Sequence, residues 1–239
     1  MQIKSSRWNW KALMYIAIEG VIGVGKTTLA RLLQAAFKSE LLLEVFEENP
    51  FLSDFYADRE RYAFQTQMFF LLSRYHQQRR AVPGILKRGD SLISDYTFEK
   101  DALFASINLE GDELDMYYRV QEALAEKIPL PDLVVYLQAD TDVLMQRIAL
   151  RDRPYERNME RDYIDELNQA YEAFFRQAPL ESRRAEKTYR GSSVLPIDTN
   201  PLDYVRNPAD LKWVENRIRQ AMKLTPFQTE LPIHEREGR

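Results

Sequence analysis

The sequence predicts an α/β fold: a parallel five-stranded sheet flanked by helices, with a short Arg-rich segment after the fourth strand and its helix. Three observations carry this prediction. Five short apolar runs, at Tyr15 to Glu19, Leu41 to Phe46, Ser91 to Asp95, Leu133 to Leu137 and Val194 to Ile197, alternate with helix-like stretches, the sequence form of a parallel sheet covered on both faces. The first run leads directly into a glycine-dense turn. An arginine-dense segment from Arg147 to Arg157 follows the fourth run and its helix.

The turn after the first strand reads Gly20-Val21-Ile22-Gly23-Val24-Gly25-Lys26-Thr27, the G-x-x-x-x-G-K-[ST] spacing of a phosphate-binding loop. A loop wrapped around a triphosphate aims successive backbone N–H groups inward and has no room for side chains where the phosphates sit. Only 8 glycines occur in 239 residues, and three of them fall within six positions here. The phosphate-binding set is Gly20, Gly23, Val24, Gly25, Lys26, Thr27 and Thr28. Lys26 neutralises the terminal phosphates of ATP, the Thr27 hydroxyl ligates Mg²⁺, and a helix from Thr27 to Lys38 turns its positive dipole end toward the anion. A P-loop on a sheet of this form is the P-loop kinase fold.

Further along, a helical pattern from Asp58 to Arg80 repeats Phe64, Met68, Leu71, Leu72 and Tyr75 on one side, most of which reads as core. Asp140 or Thr141 is positioned to cap a helix from Asp142 to Ala149, and an amphipathic helix from Asp210 to Lys223 ends the pattern. No internal repeat or low-complexity segment interrupts the chain.

A chain of 239 residues, 45% of them hydrophobic, is long enough to bury one sizeable core, and a single domain over 14–224 is expected. Residues 1–13, with Trp8 and Trp10, form an N-terminal extension, and 225–239 a C-terminal tail. The net charge of −4, from 33 basic and 37 acidic residues, argues against a protein that coats nucleic acid. No cysteine and only two histidines, His76 and His234, leave no disulfide framework and argue against a structural zinc. Neither a membrane span nor a signal peptide is visible, so a cytoplasmic protein is expected.

Beyond the P-loop, several spaced motifs between about Tyr15 and Ile218 together resemble the deoxynucleoside kinase family, above all its bacterial deoxyadenosine, deoxyguanosine and deoxycytidine kinases. Glu44-Val45-Phe46-Glu47-Glu48-Asn49-Pro50 is similar to the family's E-P-V motif, with Val45 in place of the proline. The resemblance implies that Glu44 is the catalytic base for a 5′-hydroxyl. Glu47 and Glu48 read as a solvated acidic loop. Gln67 and Arg74, seven residues apart, share one face of the long helix. By resemblance Tyr56 and Glu156 bind the ribose 3′-hydroxyl, Gln67 reads the base edge, and Arg74 pairs with Asp101 as in members that accept purines and cytosine. An Arg and Asp beside Gln67 favour dA, dG or dC over dT, because thymine would leave buried charge unpaired.

Asp95, in Ser94-Asp95-Tyr96-Thr97-Phe98-Glu99-Lys100-Asp101, closes a strand beside the P-loop. Alone it fits a helix N-cap as well as a ligand. Within this set it takes the Mg²⁺ role together with Thr27, directly or through water. The family most often places Arg after this acid, where this chain has Tyr96, which carries no permanent cation. The lid arginines Arg147, Arg151 and Arg153 are then expected to carry the phosphate charge alone, in a lid over about 151–158; Arg157 is left outside that set. Asp198-Thr199-Asn200 resembles the segment bordering the ATP adenine. The resemblance also implies a homodimer.

Two rivals fit parts of this pattern. A thymidylate kinase shares fold and lid but needs cations around a second phosphate, where this chain offers Glu44 and Glu156. An idle nucleotide-binding subunit, hinted at only by Tyr96, has no need of Lys26, Glu44 and Asp95 together.

Overall fold

A computed structural model describes residues 13–176, 188–189 and 192–224. The expected tail, and all of the expected N-terminal extension except Leu13, lie outside the described residues, as do Trp8 and Trp10.

Strand β1 (Tyr15–Glu19) is buried along its whole length, as a strand covered on both faces must be. It lies between β3 (Ser91–Ser94) and β4 (Leu133–Gln138), parallel to both, with Ile16 opposite Ile93 on one side and Leu133 on the other. β2 (Ser39–Leu42) adds outside β3 and β6 (Ser192–Asp198) outside β4, so the five expected strands form one parallel array. A sixth, two-residue strand, β5 (Thr188–Tyr189), runs antiparallel at the edge, giving the order β2-β3-β1-β4-β6-β5. Two residues carry no periodic signal, which is why the sequence did not announce it.

Alternation along the strands divides the apolar side chains. Ile16, Ile18 and Ile93 enter the larger core cluster with Leu29 and Leu33 of helix α1 (Lys26–Phe37). Tyr15 and Leu92, pointing the other way, join Leu42, Val82, Ile85 and Tyr96 in a smaller one. The short α2 (Leu52–Ala57) precedes α3 (Arg59–Lys87), whose first turn is capped by the Asp58 carboxylate accepting from the Arg61 N–H. α3 runs seven residues past the expected end at Arg80 and tolerates Pro83 within its last turns. Of the expected apolar stripe, Leu71 and Tyr75 are core, Phe64 and Met68 are partly buried, and Leu72 is exposed.

The remaining helices are α4 (Lys100–Asn108), α5 (Gly111–Ala125), α6 (Thr141–Arg151), α7 (Arg161–Arg176) and α8 (Pro208–Ala221). Asp140 occupies the residue before α6 but its side chain makes no capping bond, and the Thr141 hydroxyl donates instead to Asp165. α8 is capped by Asn207, which accepts from the Ala209 N–H. Because β1, β3 and β4 run parallel, their carboxyl ends lie on one edge of the sheet. There the chain leaves the strands at Gly20, Asp95 and Ala139, the place where open α/β sheets bind ligands.

Candidate active site

The P-loop is held by close packing that only glycine allows. Gly20 has φ +143°, and a Cβ there would stand 2.4 Å from the Leu137 carbonyl oxygen. Gly25, at φ +104°, opens α1, whose first turn carries no acidic residue to compete with an anion. The Lys26 ammonium bends back onto its own loop, donating to the carbonyls of Gly20 (2.7 Å) and Val21 (3.1 Å). Burial, with Lys100 close by, lowers its pKa to about 8.

The Thr27 hydroxyl donates to Asp95 Oδ2 at 2.5 Å, and Asp95 Oδ1 accepts the Glu44 backbone N–H at 2.8 Å. Asp95 is therefore not a helix cap; α4 begins five residues later. Its carboxylate and the Thr27 hydroxyl are hard oxygen donors side by side at the mouth of the P-loop, a donor set that suits Mg²⁺.

Leaving β2, the chain turns at Leu43 and Glu44 instead of continuing to Phe46 as a strand, and residues Phe46–Glu48 form a 3₁₀ turn. The Glu44 carboxylate is 13% exposed and sits between two cations. Arg74 from α3 donates to Oε1, and the Lys100 ammonium lies 2.7 Å from Oε2. Burial alone would raise the Glu44 carboxyl, but Arg74 and Lys100 outweigh it and hold the group well below the usual carboxylate range. Arg74 also forms an ion pair with the fully buried Asp101, so the Arg–Asp pairing implied by resemblance is present in space.

Tyr96, in the position of the family's usual arginine, is buried among Tyr15, Leu42, Val82 and Leu92. Its hydroxyl donates to Gln77 Oε1, and Gln77 Nε2 donates to the Leu43 carbonyl. The tyrosine thus anchors the turn that presents Glu44. Burial pushes its hydroxyl far up, so it stays neutral.

A cavity of about 400 Å³ joins these groups. Thr27, Glu44, Tyr56, Gln67 and Arg74 line it, as do the lid residues Arg151 and Arg153. Gln67 is buried on the same face of α3 as Arg74. Tyr56 stacks on Tyr155 at 6.1 Å between ring centroids, and burial, then the charges of Tyr163 and Glu156, push its hydroxyl well up.

The lid follows α6, which ends at Asp152 in the left-handed region (φ +49°) before a 3₁₀ turn over Pro154–Glu156. Glu156, only 4% exposed, accepts from Arg151 Nη2 at 2.5 Å and Arg153 Nη1 at 3.5 Å. Arg153 also lies 4.0 Å over the Phe46 ring. Arg157 pairs with exposed Asp152 outside the cavity.

Arg147 departs from the expectation that groups it with Arg151 and Arg153. It donates to the carbonyls of Val24 and Thr199 and to the Thr199 hydroxyl, tying α6 to the P-loop and to the segment after β6. One helical turn separates Arg147 from Arg151, and Arg151, the last residue of α6, lines the cavity while Arg147 does not.

Two residues escaped the sequence reading. Glu19, at the end of β1, is buried and accepts the Gly20 N–H and both the N–H and hydroxyl of Thr97, at 3.2, 2.5 and 2.9 Å, so it ties the P-loop to the segment following Asp95. Lys100 is the other. A Glu-Lys-Asp run reads as a solvated helix start, and no local signal distinguishes it.

The profile of the deoxynucleoside kinase family matches residues 16–223. A deoxyguanosine kinase of Bacillus subtilis is 34% identical over 206 residues, covering 86% of this chain and 96% of that protein. A deoxyadenosine/deoxycytidine kinase of the same organism is 30% identical over 182 residues, covering 72% and 82%. Among solved structures, the deoxyadenosine kinase from M. mycoides with products dCMP and a flexible dCDP bound superposes with a TM-score of 0.72 at 24% identity, covering 87% of this chain and all of that one, a likeness of fold. With a P-loop, an ion-paired carboxylate and an arginine lid opening on one cavity, this chain belongs to the deoxynucleoside kinase family and is a phosphotransferase.

Proposed function

We propose that the chain transfers the γ-phosphoryl group of ATP to the 5′-hydroxyl of a deoxyribonucleoside, with dA, dG or dC preferred over dT. The observation that carries the base preference is the buried pair formed by Arg74, which shares a face of α3 with Gln67, and Asp101 of α4. Its donors and acceptors suit an exocyclic amine or a guanine edge, and a thymine methyl would leave them unpaired. The relatives named for deoxyguanosine, deoxyadenosine and deoxycytidine agree with this.

The residues divide the work. Gln67, Arg74 and Asp101 hold the base; Tyr56 and Glu156 hold the ribose 3′-hydroxyl; the P-loop and Lys26 hold the triphosphate. Glu44 accepts the hydrogen bond of the 5′-hydroxyl and orients its oxygen toward the γ-phosphorus. Because Glu44 is held strongly ionised, it is a weak base, and it takes the proton late, as the P–O bond forms and the hydroxyl acidifies. That suits the loose transition state of phosphoryl transfer, which asks for positioning more than for early deprotonation. Arg151 and Arg153 exchange their contacts with Glu156 for the transferring phosphoryl as the lid closes and excludes water. Arg147 braces the adenine side. Mg²⁺, when held by Thr27 and Asp95, neutralises developing charge on the phosphates.

In this reading residues 14–224 act as one catalytic unit in a homodimeric, cytoplasmic enzyme. No helix among the described residues is long and apolar enough to cross a membrane. The test is ADP release from ATP and Mg²⁺ with each nucleoside offered separately. A clear preference for dT over the other three would overturn the base assignment.

A further inference from the structure

We infer that Lys100 is a catalytic residue whose ammonium contacts the phosphoryl group in transfer while keeping Glu44 in place. The inference rests on the kinase reading above and adds to it a cation that the lid-only account lacks.

Its position is otherwise hard to justify. Lys100 opens α4, where the helix dipole disfavours a cation, and its side chain is only 7% exposed, where an ammonium is disfavoured again. Removing an ion pair from water in this way gives little or no net stability compared with an apolar pair. Asp101, its neighbour in sequence, does not use it, being paired with Arg74. The ammonium instead lies 2.7 Å from Glu44 Oε2, stands 5.4 Å over the Phe104 ring and lines the cavity.

Its surroundings define the role. Lys100 is close enough to Lys26 to oppose the charge of that ammonium, and Lys26 belongs to the phosphate-binding loop. Glu44, which it touches, belongs to the acceptor side. A cation lying between the donor loop and the attacking hydroxyl stands where negative charge develops on the equatorial oxygens of the transferring group. The two ammonium groups oppose each other and are offset in part by the buried carboxylates of Glu19 and Glu44, and an anion entering between them meets both cations. Tyr96, turned away onto Gln77, leaves that space to Lys100.

Lys100→Gln and Lys100→Arg separate this from a structural role. The expected result is that Lys100→Gln lowers kcat about 10²-fold or more, in the range for losing one preorganised donor to the transition state. The nucleoside KM changes no more than about threefold, as for an interaction made mainly in the transition state. Lys100→Arg, keeping the charge, recovers at least about tenfold of that loss. ADP affinity and thermal midpoint, measured on the same variants, establish that the fold and the donor site persist. Near-normal kcat in Lys100→Gln, a change confined to KM, or no recovery in a folded Lys100→Arg would each overturn the inference. Absence of nucleoside turnover by the unsubstituted enzyme would instead overturn the kinase reading itself.

Discussion

Arg74 and Glu44, thirty residues apart in sequence, meet in a buried ion pair whose other half is Asp101 on a third element. In the proposed reading, one guanidinium thus joins the carboxylate that orients the attacking hydroxyl to a carboxylate that helps hold the base, so a disturbance of base recognition is expected to reach Glu44.

Asp101→Ala should show this coupling. It leaves Arg74 to Glu44 alone and removes a fully buried charge partner, a change that costs about 3 kcal/mol when it strands a buried charge. Denaturant unfolding should register that loss, and turnover on dA, dG and dC should fall more than turnover on dT. The double variant Arg74→Met, Asp101→Ala, which strands nothing at Asp101, should be less destabilised than the two single effects summed.

Lys26 should make nucleotide binding depend on pH. In the free protein its pKa is lowered to about 8 by burial and by Lys100, and bound phosphate must raise it. Binding therefore takes up a proton above about pH 8 and takes up none through this group well below it. ADP affinity in the presence of EDTA should be nearly flat between about pH 7 and 8, where the terminal phosphate is already ionised, and fall as pH rises beyond it. Calorimetry in buffers of different ionisation enthalpy should detect far more proton uptake at pH 9 than at pH 7.

The glycines offer a matched comparison. At Gly20 an added Cβ meets the Leu137 carbonyl oxygen at 2.4 Å with φ at +143°, whereas Gly89, at φ +81°, meets nothing within 4 Å. Gly20→Ala should lose ATP binding and destabilise the fold by about 3 kcal/mol or more, from backbone strain and collision together. Gly89→Ala should cost only about 1 kcal/mol, the strain alone. Equal effects in thermal unfolding would contradict the reading of the P-loop packing.

Arg151→Ala should act on the chemical step. It removes the closest cation from Glu156 and, in the closed lid, one donor to the phosphoryl group, so kcat should fall about 10²-fold. Arg157→Ala, which breaks only an exposed pair with Asp152, should leave steady-state turnover nearly unchanged.

Much of this site was legible in the sequence because its residues lie at fixed offsets in local motifs. The P-loop is contiguous, and Gln67 and Arg74 share a helix face by periodicity alone. β1, β3 and β4 end within one residue of their expected limits because turn residues punctuate them. β2 starts two residues before and ends four residues before the expected Leu41 to Phe46, since Leu43 to Phe46 look strand-like until Asp95 captures the Glu44 N–H and turns the chain. Lys100 and Glu19 were invisible for the opposite reason, because each acquires its role only when separate strands converge. Helical spacing groups Arg147 with Arg151 on α6, and their partners part them: the carbonyls of Val24 and Thr199 take Arg147, and Glu156 takes Arg151.

The central claim is that Glu44 orients a nucleoside 5′-hydroxyl for phosphoryl transfer. It is tested most directly by ADP release from ATP and Mg²⁺ with dA, dG, dC, dT and dTMP offered separately, for the unsubstituted protein and for Glu44→Gln. Turnover on dA, dG or dC that falls by about 10²- to 10⁴-fold in Glu44→Gln is the result predicted for a positioned acid–base group. Turnover on dTMP alone, silence on all five acceptors, or full activity in the variant would contradict it.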